Sequence, residues 1–146
     1  MSFDNAKNAY QEVGAQTADQ IQLVVMLYDG AIRFLGEAKS HIEHRNLPAK
    51  AVAVDKALAI IGELQSTLKF EEGGEVAVSL DKLYAYMTGR ILEASLRLDV
   101  KAIDEVVKLL GIVNNGWMGI AAAQVREPQV PLTTNTPEAR PLEIFG

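Results

Sequence analysis

The sequence contains no cysteine. That absence removes disulfides, thiolate nucleophiles and zinc sites with sulfur ligands together. Histidine is almost as scarce, with His41 and His44 alone. Carboxylate-bridged metal bundles need Glu-x-x-His on two helices plus further inward glutamates, and the residues three before these histidines are Ala38 and His41. Glu37 one turn before His41 offers at most a weak surface metal site. A solvated helix end explains these residues without a ligand. Ser40, Ser66, Ser79 and Ser95 lie outside any Gly-x-Ser-x-Gly elbow, and Glu72-Gly73-Gly74 lacks the lysine and spacing of a phosphate loop. No catalytic residue, metal or cofactor is expected, and the chain does not read as an enzyme.

Positive charge is also short. Fourteen Lys and Arg face nineteen Asp and Glu, a net charge of -5 with a pI near 5.0, and that average field repels nucleic-acid phosphates. No stretch reaches the 18 or so uncharged apolar residues of a membrane span, because Asp29, Gly30 and Arg33 interrupt the rich run at 23–35. Membrane insertion is therefore not expected. MSFDNAKNAY lacks a basic region followed by an apolar core, so no secretory signal is visible and the cytoplasm is the expected compartment. Four of the five prolines (Pro128, Pro131, Pro137, Pro141) fall in the last nineteen residues. Residues 126–146 therefore read as a flexible, Pro-rich tail, in which Leu142–Phe145 (LEIF) is the one candidate docking tag.

What is present is helical periodicity in a chain of 146 residues, 49% hydrophobic and 23% charged, enough for one core. In the stretch 18–45, Ile21, Tyr28, Leu35 and Ile42 recur every seven residues, with Val24, Ala31 and Ala38 between them. This is the seam of a helix packed along other helices. Leu23, Leu27 and Phe34 form a second, adjoining face that calls for further cover. Thr17 and Gln20 have capping-box spacing, and Asn46-Leu47-Pro48 supplies a breaker, a cap and a tolerated proline. A second helix is expected over 48–69 on Ala51, Val54, Leu58, Ile61, Leu68 and on Ala57, Ile60, Leu64. The glycine pair Gly73-Gly74 then breaks the chain. A third helix follows over 75–98, on Val76, Leu80, Leu83, Met87, Ala94 and Leu98. Asp99 caps a fourth, over 100–125, on Ile103, Val106, Leu110, Val113, Trp117 and Ile120. The reading is all-α: an antiparallel up-down four-helix bundle over 17–125, with a short N-terminal arm over 1–16 and the flexible C-terminal tail. Short connections make successive helices antiparallel neighbours.

Large apolar groups exceed what one seam per helix needs. The surplus includes Leu23, Val25, Met26, Leu27, Ile32 and Phe34 on the first helix, and Tyr84, Tyr86, Ile91 and Leu92 on the third. Contiguous exposed apolar surface marks binding sites, and a groove between helices suits an amphipathic helical segment of a partner. Self-association through the same surplus, giving a homodimer, is the rival reading.

Asn8–Val13 (NAYQEV), Leu23–Ala38 (LVVMLYDGAIRFLGEA) and Phe70–Met87 (FEEGGEVAVSLDKLYAYM), followed by Arg90, Glu93 and Ala94, closely resemble the flagellar secretion chaperone FliS family over residues 8–125. The resemblance implies a cytoplasmic export chaperone. Such a protein would bind the C-terminal helical segment of flagellin in apolar grooves, prevent premature polymerisation, and deliver the subunit to the flagellar type III export apparatus. It makes Tyr10, Val13, Leu27, Tyr28, Ile32, Leu83, Tyr84, Met87 and Ile91 the candidate partner-binding residues, with Tyr10 and Val13 on an arm docked on the bundle. The chain departs from the family pattern at Ser95, where asparagine is usual, at Gly111, Gly116 and Gly119, and in its tail.

Overall fold

The computed structural model describes residues 18–126. The expected arm, with Tyr10 and Val13, the Thr17 cap and the Pro-rich tail from residue 127 onward lie outside the described residues. Within that range the chain forms four helices and no strand: α1 (Ala18–Glu43), α2 (Leu47–Ser66), α3 (Phe70–Arg97) and α4 (Val100–Arg126).

The turns are built from identifiable chemistry. After α1 the Asn46 amide donates back to the His41 carbonyl at 2.8 Å and the Arg45 amide to Ile42 at 3.1 Å, while Arg45 takes a left-handed φ of 58°. This is a Schellman ending, here made without glycine. The Asn46 side chain then accepts from the Ala49 amide at 3.2 Å, with Pro48 in the first turn of α2, so the cap expected from Asn46 and Pro48 forms. The α3–α4 turn repeats the design with Leu98 at φ 55°. There Asp99 Oδ1 accepts from the Lys101 and Ala102 amides at 3.0 and 3.3 Å, the expected cap of α4.

The glycine pair interrupts the helix, as its composition predicts. The span of α3 holds two helical stretches that meet at a kink at Gly74, whose φ of 54° and ψ of -126° are non-helical, and the short stretch from Phe70 before the pair is the part not expected. Gly73 still donates to the Lys69 carbonyl at 2.7 Å. A glycine can adopt this conformation because it carries no Cβ to oppose positive φ, so Gly74 divides the short stretch at Phe70 from the long remainder of α3.

Helix α1 packs against α2 and α4, and α3 packs against the same two, which puts α1 and α3 at opposite corners of the bundle. Asp29 meets Asn114 and Lys39 meets Asp104. Advancing ten residues along α1 thus retreats ten along α4, as antiparallel neighbours must. The core encloses the full expected seam of α1, and adds Ala53, Val54, Ala57, Ile60, Ile61 and Leu64 from α2, Tyr84, Met87, Ile91 and Ala94 from α3, and Ala102, Ile103, Val106 and Leu110 from α4. Small residues recur among the large ones. Ala31, Ala38, Ala57, Ala94 and Ala102 are fully enclosed, which lets the helices approach and the larger side chains interdigitate. Each enclosed Leu, Ile or Met contributes about 1.5–3 kcal/mol relative to exposure. Along Val100–Ala123, α4 is long and apolar enough by composition to cross a membrane, more so than the run at 23–35. Its Ala102, Ile103, Val106 and Leu110 are enclosed in the bundle, while 22% of that apolar stretch as a whole is buried.

Candidate partner-binding surface

The structure separates the candidate residues into two groups. Tyr28, Tyr84, Met87 and Ile91 lie inside the core with almost no accessible surface. Tyr28 and Tyr84 share a hydrogen bond between their hydroxyls at 2.5 Å, with rings tilted at 52° and centroids 6.4 Å apart. Leu27, Ile32 and Leu83 are half-buried and packed against the core edge. By helical register Leu27 lies on the α2 side of α1, where Gly30 approaches Ile60 and Lys56 stands over the Phe34 ring. Ile32 lies on the α4 side, and Leu83 on the α4 side of α3. The faces of α1 and α3 therefore do not line a common groove, because these helices are diagonal and other helices stand between them.

The free apolar surface is carried mainly by α3 with its two neighbours. On its α4 side, Tyr86 donates to Glu105 Oε2 at 2.5 Å and Arg90 Nε to Glu105 Oε1 at 2.8 Å. This polar clamp fixes the register of the two helices. Going from the clamp toward the start of α3, the facing rows are Leu83, Ser79 and Val76 on α3 and Leu109, Ile112, Gly116 and Ile120 on α4. Val76 is 67% exposed, Ile112 58% and Ile120 47%. A Cβ on Gly116 would meet nothing within 4 Å, so the row dips there. The result is an exposed apolar strip along the α3–α4 seam with a charged stop at one end. Exposed Lys82 and Lys108 flank it, and neither pairs with a carboxylate among the described residues.

On the other side of α3, Gln65 donates to Asp81 at 2.8 Å, and Lys50 Nζ donates to both the carbonyl and the hydroxyl of Ser95 at 3.0 Å. Ser95, the departure from the family pattern, thus holds a polar contact of its own. Near it Leu92 and the 83%-exposed Leu96 stand level with Leu47 and Ala51 of α2, forming a second apolar patch.

The clamp is electrostatically tuned. The Tyr86 hydroxyl and then the Arg90 guanidinium hold the Glu105 carboxyl below its usual range. The same hydrogen bond pushes Tyr86 upward, since losing its proton would place an anion beside Glu105. Arg90 also donates to Glu93 at 2.9 Å, and its hydrogen bonds to Glu105 and Glu93 raise it further. On the far side of the bundle the Asp104 hydrogen bond raises Lys39.

Periodicity assigned Val76 and Ile120 to the core, yet both are on the surface, and Ala51 is exposed as well. In α4 the enclosed positions late in the helix are Asn114 and Ala121. A straight helix drifts about 20° per heptad against a strict seven-residue repeat, so Ile120 has rotated outward. The available signal was the polar Glu105 in the same row as Ile112, Gly116 and Ile120.

A model of the family described as flagellar protein FliS matches residues 3–124. Flagellar secretion chaperone FliSB of Pseudomonas aeruginosa is 38% identical over 120 residues, covering 80% of this chain and 95% of that protein. Flagellar secretion chaperone FliS of Salmonella typhimurium is 40% identical over 118 residues, 77% of this chain and 87% of its own length. The Bacillus subtilis chaperone of the same name is 31% identical over 117 residues, 80% and 86% respectively. With a bundle whose surplus apolar surface flanks α3 and a match that spans all four helices, this chain belongs to the FliS family of flagellar secretion chaperones.

Proposed function

We propose that the protein acts in the cytoplasm, binds the C-terminal segment of flagellin, and presents it to the flagellar export apparatus. The observation that carries this reading is the exposed apolar surface on both sides of α3, the strip of Val76, Leu83, Ile112 and Ile120 and the patch of Leu92, Leu96 and Leu47. A client segment that is helical only when assembled can lay its apolar face there. That face is the one polymerisation would use, so its occupation prevents premature assembly without any covalent step. Ordering the client on binding offsets part of the contact energy, which keeps the complex releasable at the export machinery.

Leu83 is the candidate residue that lies in the α3–α4 strip itself. Leu27 and Ile32 reach a client at the outer edges of α1. Tyr28, Tyr84, Met87 and Ile91 act from inside, holding α1 and α3 so that the faces keep their shape. Tyr10 and Val13, on the arm, join the client-binding set. Calorimetry with a flagellin C-terminal peptide tests the reading: micromolar or tighter binding, weakened by Leu92→Asp and by Ile112→Asp, is expected. Absence of binding at micromolar concentration overturns it, and a dimer whose interface ignores the peptide favours self-association.

A further inference from the structure

We infer that the end of α4, from Asn114 onward, is a weakly held flap that opens as a unit and gives up its seat on the bundle to an amphipathic helix of a partner. The two halves of α4 are held differently. Ala102, Ile103, Val106 and Leu110 anchor the first half in the core, whereas Asn114 and Ala121 are the only enclosed residues after Leu110 among those described. Neither supplies much apolar burial. Val113 and Trp117 pack at the core edge, and Asn115, Gly116, Met118, Gly119 and Ile120 face water.

Asn114 loosens the hold further. Its side-chain amide donates to Asp29 at 2.8 Å, which fixes the orientation of the group and leaves its Oδ1 enclosed with no hydrogen-bond donor among the described residues. An unmet buried acceptor is destabilising, and opening hands it to water. Gly111, Gly116 and Gly119 act on the helix itself. A Cβ on any of the three would meet nothing within 4 Å, so no close approach requires glycine there, and each favours the helical state about four- to fivefold less than alanine would. Counting back from the Glu105 contacts with Tyr86 and Arg90, residues 116–120 stand level with the start of α3, where Gly74 interrupts the helix. The neighbouring helix is thus weakest where support is most needed.

The seat under the flap is apolar. By the register that Asp29 and Asn114 set, Ala121 lies level with the enclosed Ile21 and Val25 of α1, and by that of the clamp Val113 lies level with Leu80 of α3. The present occupant shows what the seat accepts. Val113, Trp117 and Ala121 are four apart, so a replacement carries apolar groups at i, i+4 and i+8 of a helix. A client segment that folds on binding meets that description. Its use of the seat rests on the proposed flagellin binding; the opening itself does not.

Native-state amide exchange of the full chain, read by NMR, tests the flap. Amides of 116–123 are expected to exchange at least about 100-fold faster than those of 103–110. Gly116→Ala with Gly119→Ala should slow the flap amides by about 15- to 30-fold. Gly89→Ala, at an equally open helical position in α3, should slow the core amides and leave the flap unchanged, because the flap opens while α3 stays folded. Affinity for a flagellin C-terminal peptide should fall by the same 15- to 30-fold or so in the double alanine variant, since the open state that admits the peptide becomes rarer by that factor. Exchange at 116–123 as slow as at 103–110 overturns the proposal, as do flap amides that follow Gly89→Ala. So does unchanged peptide affinity in the double variant, which would leave the seat to α4 alone, and flap exchange that varies with protein concentration, which would give the seat to a second copy. Fast flap exchange with no flagellin binding in any variant would retain the opening and remove the client reading.

Discussion

The hydroxyls of Tyr28 and Tyr84 meet at 2.5 Å in the middle of the bundle, tying α1 to α3 although the backbones of these two helices are nowhere neighbours. A buried hydroxyl is tolerated when it is hydrogen-bonded, and here each tyrosine meets part of the other's need. The pair therefore links opposite corners of the fold through the core. Tyr28→Phe and Tyr84→Phe should each lower stability by about 1–2 kcal/mol, and the double variant by clearly less than their sum, because removing both partners strands neither. Urea unfolding of the three variants measures this, and strict additivity would refute the coupling.

The clamp between α3 and α4 should show in pH dependence. The Glu105 carboxyl is held below its usual range in the folded protein. Its contribution to stability is thus present above the ordinary carboxylate pKa and disappears as the pH falls through the lowered folded value. NMR titration should find Glu105 titrating low, and Tyr86→Phe should move its midpoint up. An unchanged midpoint in that variant would mean that Tyr86 does not hold the carboxylate.

Two left-handed positions predict opposite outcomes. Gly74→Ala places a Cβ at φ 54° and should destabilise by about 1–3 kcal/mol, although the space around it is open. Arg45, exposed at φ 58°, already bears that strain, so Arg45→Gly should stabilise by about 0.5–1 kcal/mol. Denaturation midpoints of the two variants must move in opposite directions.

Surface and core should separate cleanly. Ile112→Asp is expected to leave stability within about 0.5 kcal/mol while weakening flagellin-peptide binding by about tenfold, equivalent to ~1.4 kcal/mol. Met87→Ala, fully enclosed, should cost about 2–5 kcal/mol of stability. Thermal melts together with calorimetry on both variants distinguish a binding face from a packing residue.

Much of the fold was legible because its signals are local. Ile21, Val24, Tyr28, Ala31, Leu35, Ala38 and Ile42 formed a seam by spacing and are all enclosed; Asn46 and Asp99 looked like caps and are caps. The glycine pair interrupts the helix at Gly74 as expected, and what the pattern missed is the short helical stretch from Phe70, because so few residues carry no readable periodicity. The site was less legible. Tyr28, Tyr84, Met87 and Ile91 look on paper like any other large apolar residue, as do Val76, Ile112 and Ile120. The first group is enclosed and the second, Val76, Ile112 and Ile120, is exposed.

The number, order and approximate extent of the helices follow from the chain alone, since periodicity, caps and breakers act over a few residues. Which apolar side chains stay uncovered was decided only when four helices assembled, with α1 and α3 on a diagonal and α3 flanked by α2 and α4. Cover for a side chain comes from residues far away in sequence, and the small rotation of a helix about its own axis, which no local pattern encodes, determines whether a leucine or isoleucine meets a neighbour or water.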